Sequence, residues 1–373
     1  MNVAVFLGGT SPEREVSLAS GLACAQALKE AGYKVRLIDP AFGAAQPESF
    51  NGFLANGIHE VPPDVRELSK FSNARIVETV SSHLLDDIDV VFLALHGKWG
   101  EDGTVQALLE LRGIPYTGSR VLASALAMNK EMAKHMFLRH GVRTPPWQSW
   151  RTPPHGEPLD SDTIYGHVAR ELGFPVVIKP NDQGSTVGVS IVHSDDLPEF
   201  KKALQQAAMF SDTILIEQYI PGREVTVGIL GNEALPVVEV RPKDGFYDYQ
   251  HKYTKGMTEY IVPAQLPEAV ALELQQQALM AFQSLGCSGF GRIDFRLSPE
   301  NIPYCLEVNT IPGMTALSLV PKAARAAGIS FPELCERIIS LALLTKTEMS
   351  ANTLASQPKV SGRSGDEPRA QRR

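Results

Sequence analysis

Cysteine is scarce in this chain of 373 residues: Cys24, Cys287, Cys305 and Cys335 are all it has, with no CxxC and no Cys/His pairing. That disfavours a structural zinc site or a disulfide framework and suits a reducing compartment, the cytoplasm. No apolar run approaches the roughly 18 residues that a membrane span needs. The start enters an apolar strand at once, with no basic n-region or cleavage site, so it is not read as a signal peptide. Positive charge is not in excess either. A net charge of −7 argues against a general nucleic-acid binder. There is no GxxxxGK[ST], which excludes a P-loop. Gly8-Gly9-Thr10 is not a GxGxxG, which disfavours a dinucleotide-dependent oxidoreductase. No internal repeat is visible.

What is present fits a globular protein. Hydrophobic residues make up 43% and charged residues 21%, and the length predicts two or three domains. A buried-type strand over 3–7, a helix from Pro12 to about Ala31 with Ser11 as its N-cap, and a strand over 33–38 form a βαβ unit. With the strand over 90–95 they predict an open parallel α/β sheet in residues 1–118. A helical stretch over 122–140, broken near Asn129, leads into short strands and one helix that read as a small α+β domain over 119–215. Residues 216–345 hold more strands, a helix over 268–285 and two closing helices. The stretch 346–373 has almost no large apolar side chains and is expected to be a disordered tail.

The richest stretch is Gly289–Thr315, in which two alternating runs flank Ser-Pro-Glu-Asn, a hairpin signal. With the turn centred on Glu300-Asn301, Asp294 faces Glu307 and Arg292 faces Asn309. Arg292, Asp294 and Arg296 then share one face of the first strand, and Cys305, Glu307 and Asn309 one face of the second. Two opposed carboxylates destabilise a sheet unless a cation lies between them. Asp294, Glu307 and Asn309 offer hard oxygens suited to Mg²⁺ completed by substrate phosphates, with Mn²⁺ equally acceptable to such a set. The plain alternative is a solvated hairpin face.

Lys179 ends an apolar strand just before Gly184-Ser185-Thr186. A lysine on a buried strand needs an anion, and a triphosphate under the backbone N–H groups of that loop would serve. Lys130 is a second candidate. Glu217–Glu224 is a strand end whose backbone could pair with an adenine edge, with a glutamate for ribose hydroxyls. Glu15 is read near the first turn of the first helix, where it either answers the helix dipole or holds a substrate ammonium. His96 opens the loop at the C-terminal end of a parallel strand, where such sheets place ligands. The long polar loop over 243–260, with several tyrosines, is read as functional.

Eight stretches in order, VFLGGTSPEREVSLASG, HGKWGEDGTVQALLE, IPYTGS, AMNKEMAK, VIKPNDQGSTVGVS, FYDYQHKYTKG, GRIDF and LEVNTIPGMTALSLVPKAARAAG, resemble the D-alanine–D-alanine ligases of the ATP-grasp superfamily. The resemblance implies a two-part ATP-grasp fold after the first domain, ATP as co-substrate, two Mg²⁺ (or Mn²⁺) ions and a homodimer. It implies synthesis of D-alanyl-D-alanine for peptidoglycan through a D-alanyl phosphate. The alternative is a D-alanine–D-lactate ligase or another carboxylate–amine ligase. Residue by residue it implies Asp294, Glu307 and Asn309 for metal. It implies Lys130, Lys179, Gly184, Ser185, Thr186, Glu217 and Glu224 for the nucleotide. Glu15, with His96 nearby, would hold the first D-alanine, linked to Ser185 and Tyr253. Lys252, Ser318 and Leu319 would hold the second, and Arg292 with Gly313 would stabilise the oxyanion.

Overall fold

Asn2–Phe6 form β1, a strand buried after its first residue because parallel sheets are covered on both faces. Helix α1 (Arg14–Glu30) returns the chain to β2 (Lys34–Ile38), and β3 (Val90–Leu93) pairs on the other side of β1, giving a parallel sheet in the order β2-β1-β3. The computed structural model describes residues 1–50, 52–54, 68, 70–153, 159–243, 256–316 and 318–355, with side chains as far as 344. Within 40–85 it adds α2 (Ala74–Ser81), which the irregular composition there did not announce.

The first helix begins later than the sequence suggests. Its N-cap is Glu13, while Ser11 Oγ donates to the carbonyl of His96 at 2.6 Å and accepts from Glu13 N at 3.2 Å.

After α3 (Thr104–Arg112) come α4 (Val121–Met128) and α5 (Lys130–Arg139). The expected break falls at Asn129, whose side chain caps α5 by accepting from Met132 N at 3.0 Å. The second sheet is antiparallel, β4-β7-β5-β6, built from β4 (Trp147–Arg151), β5 (Val176–Pro180), β6 (Ser190–Val192) and β7 (Thr213–Gln218). Helices α6 (Ser161–Glu171) and α7 (Leu197–Ala208) cover one face, burying Val168, Phe200 and Leu204 against Ile178 and Ile216.

The third sheet is also antiparallel. Strands β8 (Arg223–Leu230), β9 (Glu233–Ala234), β10 (Val238–Pro242), β11 (Thr258–Ile261), β12 (Phe290–Leu297) and β13 (Pro303–Asn309) run in the order β11-β10-β8-β12-β13, with β9 on β8. Helix α8 (Glu268–Ser284) packs Leu274, Ala278 and Phe282 on its inner face. All of β7 belongs to the second sheet, so a boundary after 215 cuts a strand. The change of sheet occurs over Tyr219–Gly222 instead. Gly222 sits at φ +117°, and a Cβ there would lie 2.1 Å from Leu297 O, so the crossover is pressed against β12 and admits no side chain. Helices α9 (Leu319–Ala326) and α10 (Phe331–Ala355) then pack back into the core of the first sheet. The last helix extends into the stretch expected to be disordered from 346; residues beyond 355 lie outside the described ones.

Candidate active site

A cavity opens between the second and third sheets, and the start of α1 and the loop after β3 close one end of it. One wall comes from β5, the Gly/Ser loop and β7. The other comes from one face of β8, β12 and β13.

The register of β12 on β13 brings Asp294 opposite Glu307 and Arg292 opposite Asn309, as expected. The turn differs, because Leu297 pairs with Pro303, which centres the loop on Glu300 rather than between Glu300 and Asn301. A β-bulge after Asp294 supplies the missing residue. The bulge turns Cys305 into the hydrophobic core and brings Leu306 beside Glu307 on the cavity side. Cys305 therefore does not share a face with Glu307 and Asn309.

Asp294 is crowded with donors. Arg292 reaches it with Nε at 2.8 Å and Nη2 at 2.7 Å, Thr226 Oγ1 at 2.6 Å and Asn309 Nδ2 at 3.0 Å. Glu307 Oε2 lies 3.1 Å from Lys130 Nζ. Among the described residues no cluster of three His, Cys, Asp or Glu side chains forms. Two half-buried carboxylates and one amide are too few to cage an ion. They suit a hard cation whose remaining ligands are phosphates and water.

At the far end Glu217 is buried between two lysines, with Lys179 Nζ at 2.5 Å from Oε1 and Lys134 Nζ at 2.9 Å from Oε2. Burial alone would push the Glu217 carboxyl up, but the two ammonium charges hold it below its ordinary range. Burial, aided by the charge of Lys179, pulls Lys134 down to about 8 against the pull of Glu217. Val177, Val189, Ile220 and Leu306 give this end apolar walls, and Glu224 lies on the same side. Lys130 Nζ also donates to Gln183 O at 2.7 Å, which ties it to the Gly/Ser loop. In that loop Ser185 and Thr186 both hold positive φ, 48° and 64°. Such strain in residues with a Cβ is maintained only where the surroundings fix it.

The near end corrects one assignment. Glu13, not Glu15, lines the cavity and accepts a hydrogen bond from Ser185 Oγ. Gly184 packs against the same carboxylate, 2.9 Å from Oε2 to where a Cβ would stand. Glu15 sits two residues on, in the first turn of α1, and does not line the cavity. His96 is buried at the cavity wall, with Nδ1 3.7 Å from Glu101 Oε1 and Nε2 3.1 Å from Ser20 Oγ. Burial draws its pKa down, but the hydrogen bond and charge of Glu101, with the charge of Glu13, more than offset this and hold it above 6.5.

Arg292, Gly313, Ser318 and Leu319 all reach the cavity. Ser318 is the N-cap residue of α9, and its Oγ accepts from Thr315 N at 2.9 Å. Tyr253 and Lys252 lie outside the described residues. Sequence reasoning also missed Glu101, Lys134 and Arg296 as part of the site. Alternation on β12 had already put Arg296 on the right face, and Lys134 stands one helical turn after Lys130.

This arrangement has clear counterparts. Residues 2–119 match the family model for the D-ala D-ala ligase N-terminus, and residues 136–340 that for the D-ala D-ala ligase C-terminus. The D-alanine–D-alanine ligase of Syntrophotalea carbinolica is 45% identical over 344 residues, covering 92% of this chain and 97% of that protein. That of Desulforamulus reducens is 44% identical over 347 residues, covering 92% and 99%. The solved D-alanine–D-alanine ligase of Bacillus anthracis superposes with a TM-score of 0.73 at 34% identity, covering 94% of this chain and 99% of that one. The same enzyme complexed with ATP gives a TM-score of 0.70 at 33% identity, with the same coverage. Two family models over almost the whole chain, with relatives well above 40% identity, place this protein in the D-alanine–D-alanine ligase family.

Proposed function

We propose that this protein joins two molecules of D-alanine at the expense of ATP, in two steps within one cavity. A carboxylate oxygen of the first D-alanine attacks the γ-phosphorus, and ADP leaves. The amine of the second D-alanine then attacks the acyl carbon of the D-alanyl phosphate. The tetrahedral intermediate collapses by breaking the carbon–oxygen bond to phosphate, and the amine loses a proton.

The observation that carries this reading is the gathering of opposite chemistries in one cavity: the Glu13 carboxylate, Lys130 and Lys179, and the Asp294, Glu307 and Asn309 face. Glu13 suits the ammonium of the first D-alanine. Lys130, Lys179 and the Gly184–Thr186 backbone suit phosphates, while Glu217 and Glu224 suit the adenine amino group and the ribose hydroxyls. Phosphoryl transfer asks mainly for such positioning and charge neutralisation. Asp294, Glu307 and Asn309 would hold Mg²⁺ (or Mn²⁺), two ions in all, which would neutralise the phosphate charge. Arg292 with the Gly313 N–H would stabilise the oxyanion. Ser318 and the N–H of Leu319, at a helix start, suit the second carboxylate; Lys252 would assist, and Tyr253 with Ser185 would close the site over Glu13.

The dipeptide would serve peptidoglycan synthesis in the cytoplasm, with the chain acting as a homodimer. None of the described helices is long and apolar enough to cross a membrane. The names of the curated relatives favour the dipeptide over the D-alanine–D-lactate ester. The test is an assay of ADP release with the product identified by mass. ADP formation should require both D-alanine and a divalent cation, with D-alanyl-D-alanine in equal amount. ADP release indifferent to D-alanine would overturn the reading.

A further inference from the structure

Ser20 lies on α1, in the first domain, and is fully buried. Its hydroxyl accepts a hydrogen bond from the backbone N–H of Met314 at 3.1 Å, 294 residues further along the chain. The same oxygen lies 3.1 Å from His96 Nε2. His96 is in turn fixed from several sides. Its carbonyl accepts from Ser11 Oγ at 2.6 Å, its Nδ1 faces Glu101, and its ring also bonds the backbone at Ile311. A continuous chain of contacts therefore runs from Glu101 through His96 and Ser20 to Met314.

That chain ends beside the segment that the proposed function uses for acyl transfer. Ile311, Pro312, Gly313 and Thr315 line the cavity, while Met314 is buried behind them. The segment has no sheet or helix hydrogen bonds of its own between β13 and α9. On one side it is held by Ser318, through Thr315 N and Thr315 Oγ1, each at 2.9 Å. On the other side it is held by Ser20, through Met314 N, and by the His96 ring at the Ile311 backbone.

We propose that Ser20 is a positioning residue for the acyl-transfer step, holding the Gly313–Met314 backbone so that the Gly313 N–H is aimed at the developing oxyanion. This rests on the two-step reading above. Ser20 does not line the cavity, so it acts through Met314 and not on the substrates. Oxyanion stabilisation is sensitive to placement, and an error of about 1 Å can cost on the order of 100-fold. Phosphoryl transfer depends on lysines and carboxylates on other elements, so the two steps should separate when Ser20 is changed.

The experiment compares the parent, Ser20→Ala and Ser20→Thr by measuring ADP and D-alanyl-D-alanine together, with the KM for ATP. In Ser20→Ala the D-alanyl phosphate should form but be captured poorly and lost to water. Dipeptide turnover should fall about 10- to 100-fold, the ratio of ADP to dipeptide should rise above one, and the KM for ATP should stay within about twofold of the parent. Ser20→Thr keeps the hydroxyl and should keep a ratio near one. Hydrogen exchange at the Met314 amide should be faster in Ser20→Ala alone. A folded Ser20→Ala protein with the parental ratio and turnover would overturn the proposal. So would an unfolded one, since Ser20 would then be needed for folding and not for placement. A parent that makes no dipeptide would overturn the reading of function itself.

Discussion

Arg292 and Asp294, two residues apart on one strand, grip each other through paired hydrogen bonds of 2.8 and 2.7 Å. The arginine proposed for the acyl step and the carboxylate proposed for the cation are therefore one hydrogen-bonded pair, so a change at either bears on both steps.

If Asp294 holds the cation, Asp294→Asn should lower turnover at least about 100-fold, as expected when charge stabilisation of a transferring group is lost. The Mg²⁺ concentration for half-maximal rate should rise with it. A Mg²⁺ titration of the variant checks this, and an unchanged midpoint would remove Asp294 from the cation site.

Glu13 and Glu15 can be told apart directly. Glu13→Gln should lower kcat/KM for D-alanine by about 10- to 100-fold, the worth of one charge-assisted hydrogen bond of about 1.5–3 kcal/mol. Glu15→Gln should stay within about threefold of the parent. Steady-state kinetics with varied D-alanine at saturating ATP would show the reverse order if the Glu15 assignment were right.

Arg296 ties the crossover between the two sheets to β12. It donates to Ile220 O at 3.0 Å and Gly222 O at 2.8 Å, and lies 3.7 Å from Glu224. A planar fork can make these bonds together and a lysine cannot. Both Arg296→Met and Arg296→Lys should raise the KM for ATP about tenfold, equivalent to about 1.4 kcal/mol, with the D-alanine constants unchanged. Equal ATP constants in parent and variants would show that the crossover needs no such clamp.

His96 carries a pH signature. Its folded pKa is raised above 6.5 by Glu101 despite burial. A raised pKa means the folded state binds the proton more tightly, so this contribution to stability is fully present below pH about 6.5 and is lost as pH rises through the folded pKa. Melting temperatures from pH 6 to 9 should show a fall that is shallower in Glu101→Gln. Parallel curves for the two proteins would exclude the coupling.

Much of this site is legible in the sequence because charge on an apolar strand is costly. Lys179 in PVVIKP and the alternation of Arg292, Asp294 and Arg296 announce partners across a buried face. The Asp294–Glu307 register follows from alternation and chain length, although two features combine to give it: a loop centred on Glu300 and a bulge that adds Leu306. A bulge leaves no reliable mark in composition, and this is why Cys305 was put on the wrong face. Glu13 and Glu15 flank Arg14 in one charged run, and only the fold, which sets Glu13 against Ser185, 172 residues further along the chain, tells them apart. Strand β4 escaped notice because WQSWR lies between prolines and polar residues and is recruited by pairing with β7.

The claim that one cavity runs both steps is tested most directly by following oxygen. D-Alanine labelled with ¹⁸O in its carboxylate should deliver one labelled oxygen to inorganic phosphate for each dipeptide formed, because that oxygen attacks the γ-phosphorus and later leaves with it. Phosphate free of label, with dipeptide still produced, would contradict the acyl phosphate and with it the division of labour between Lys130, Lys179 and Asp294 on one side and Arg292 and Gly313 on the other.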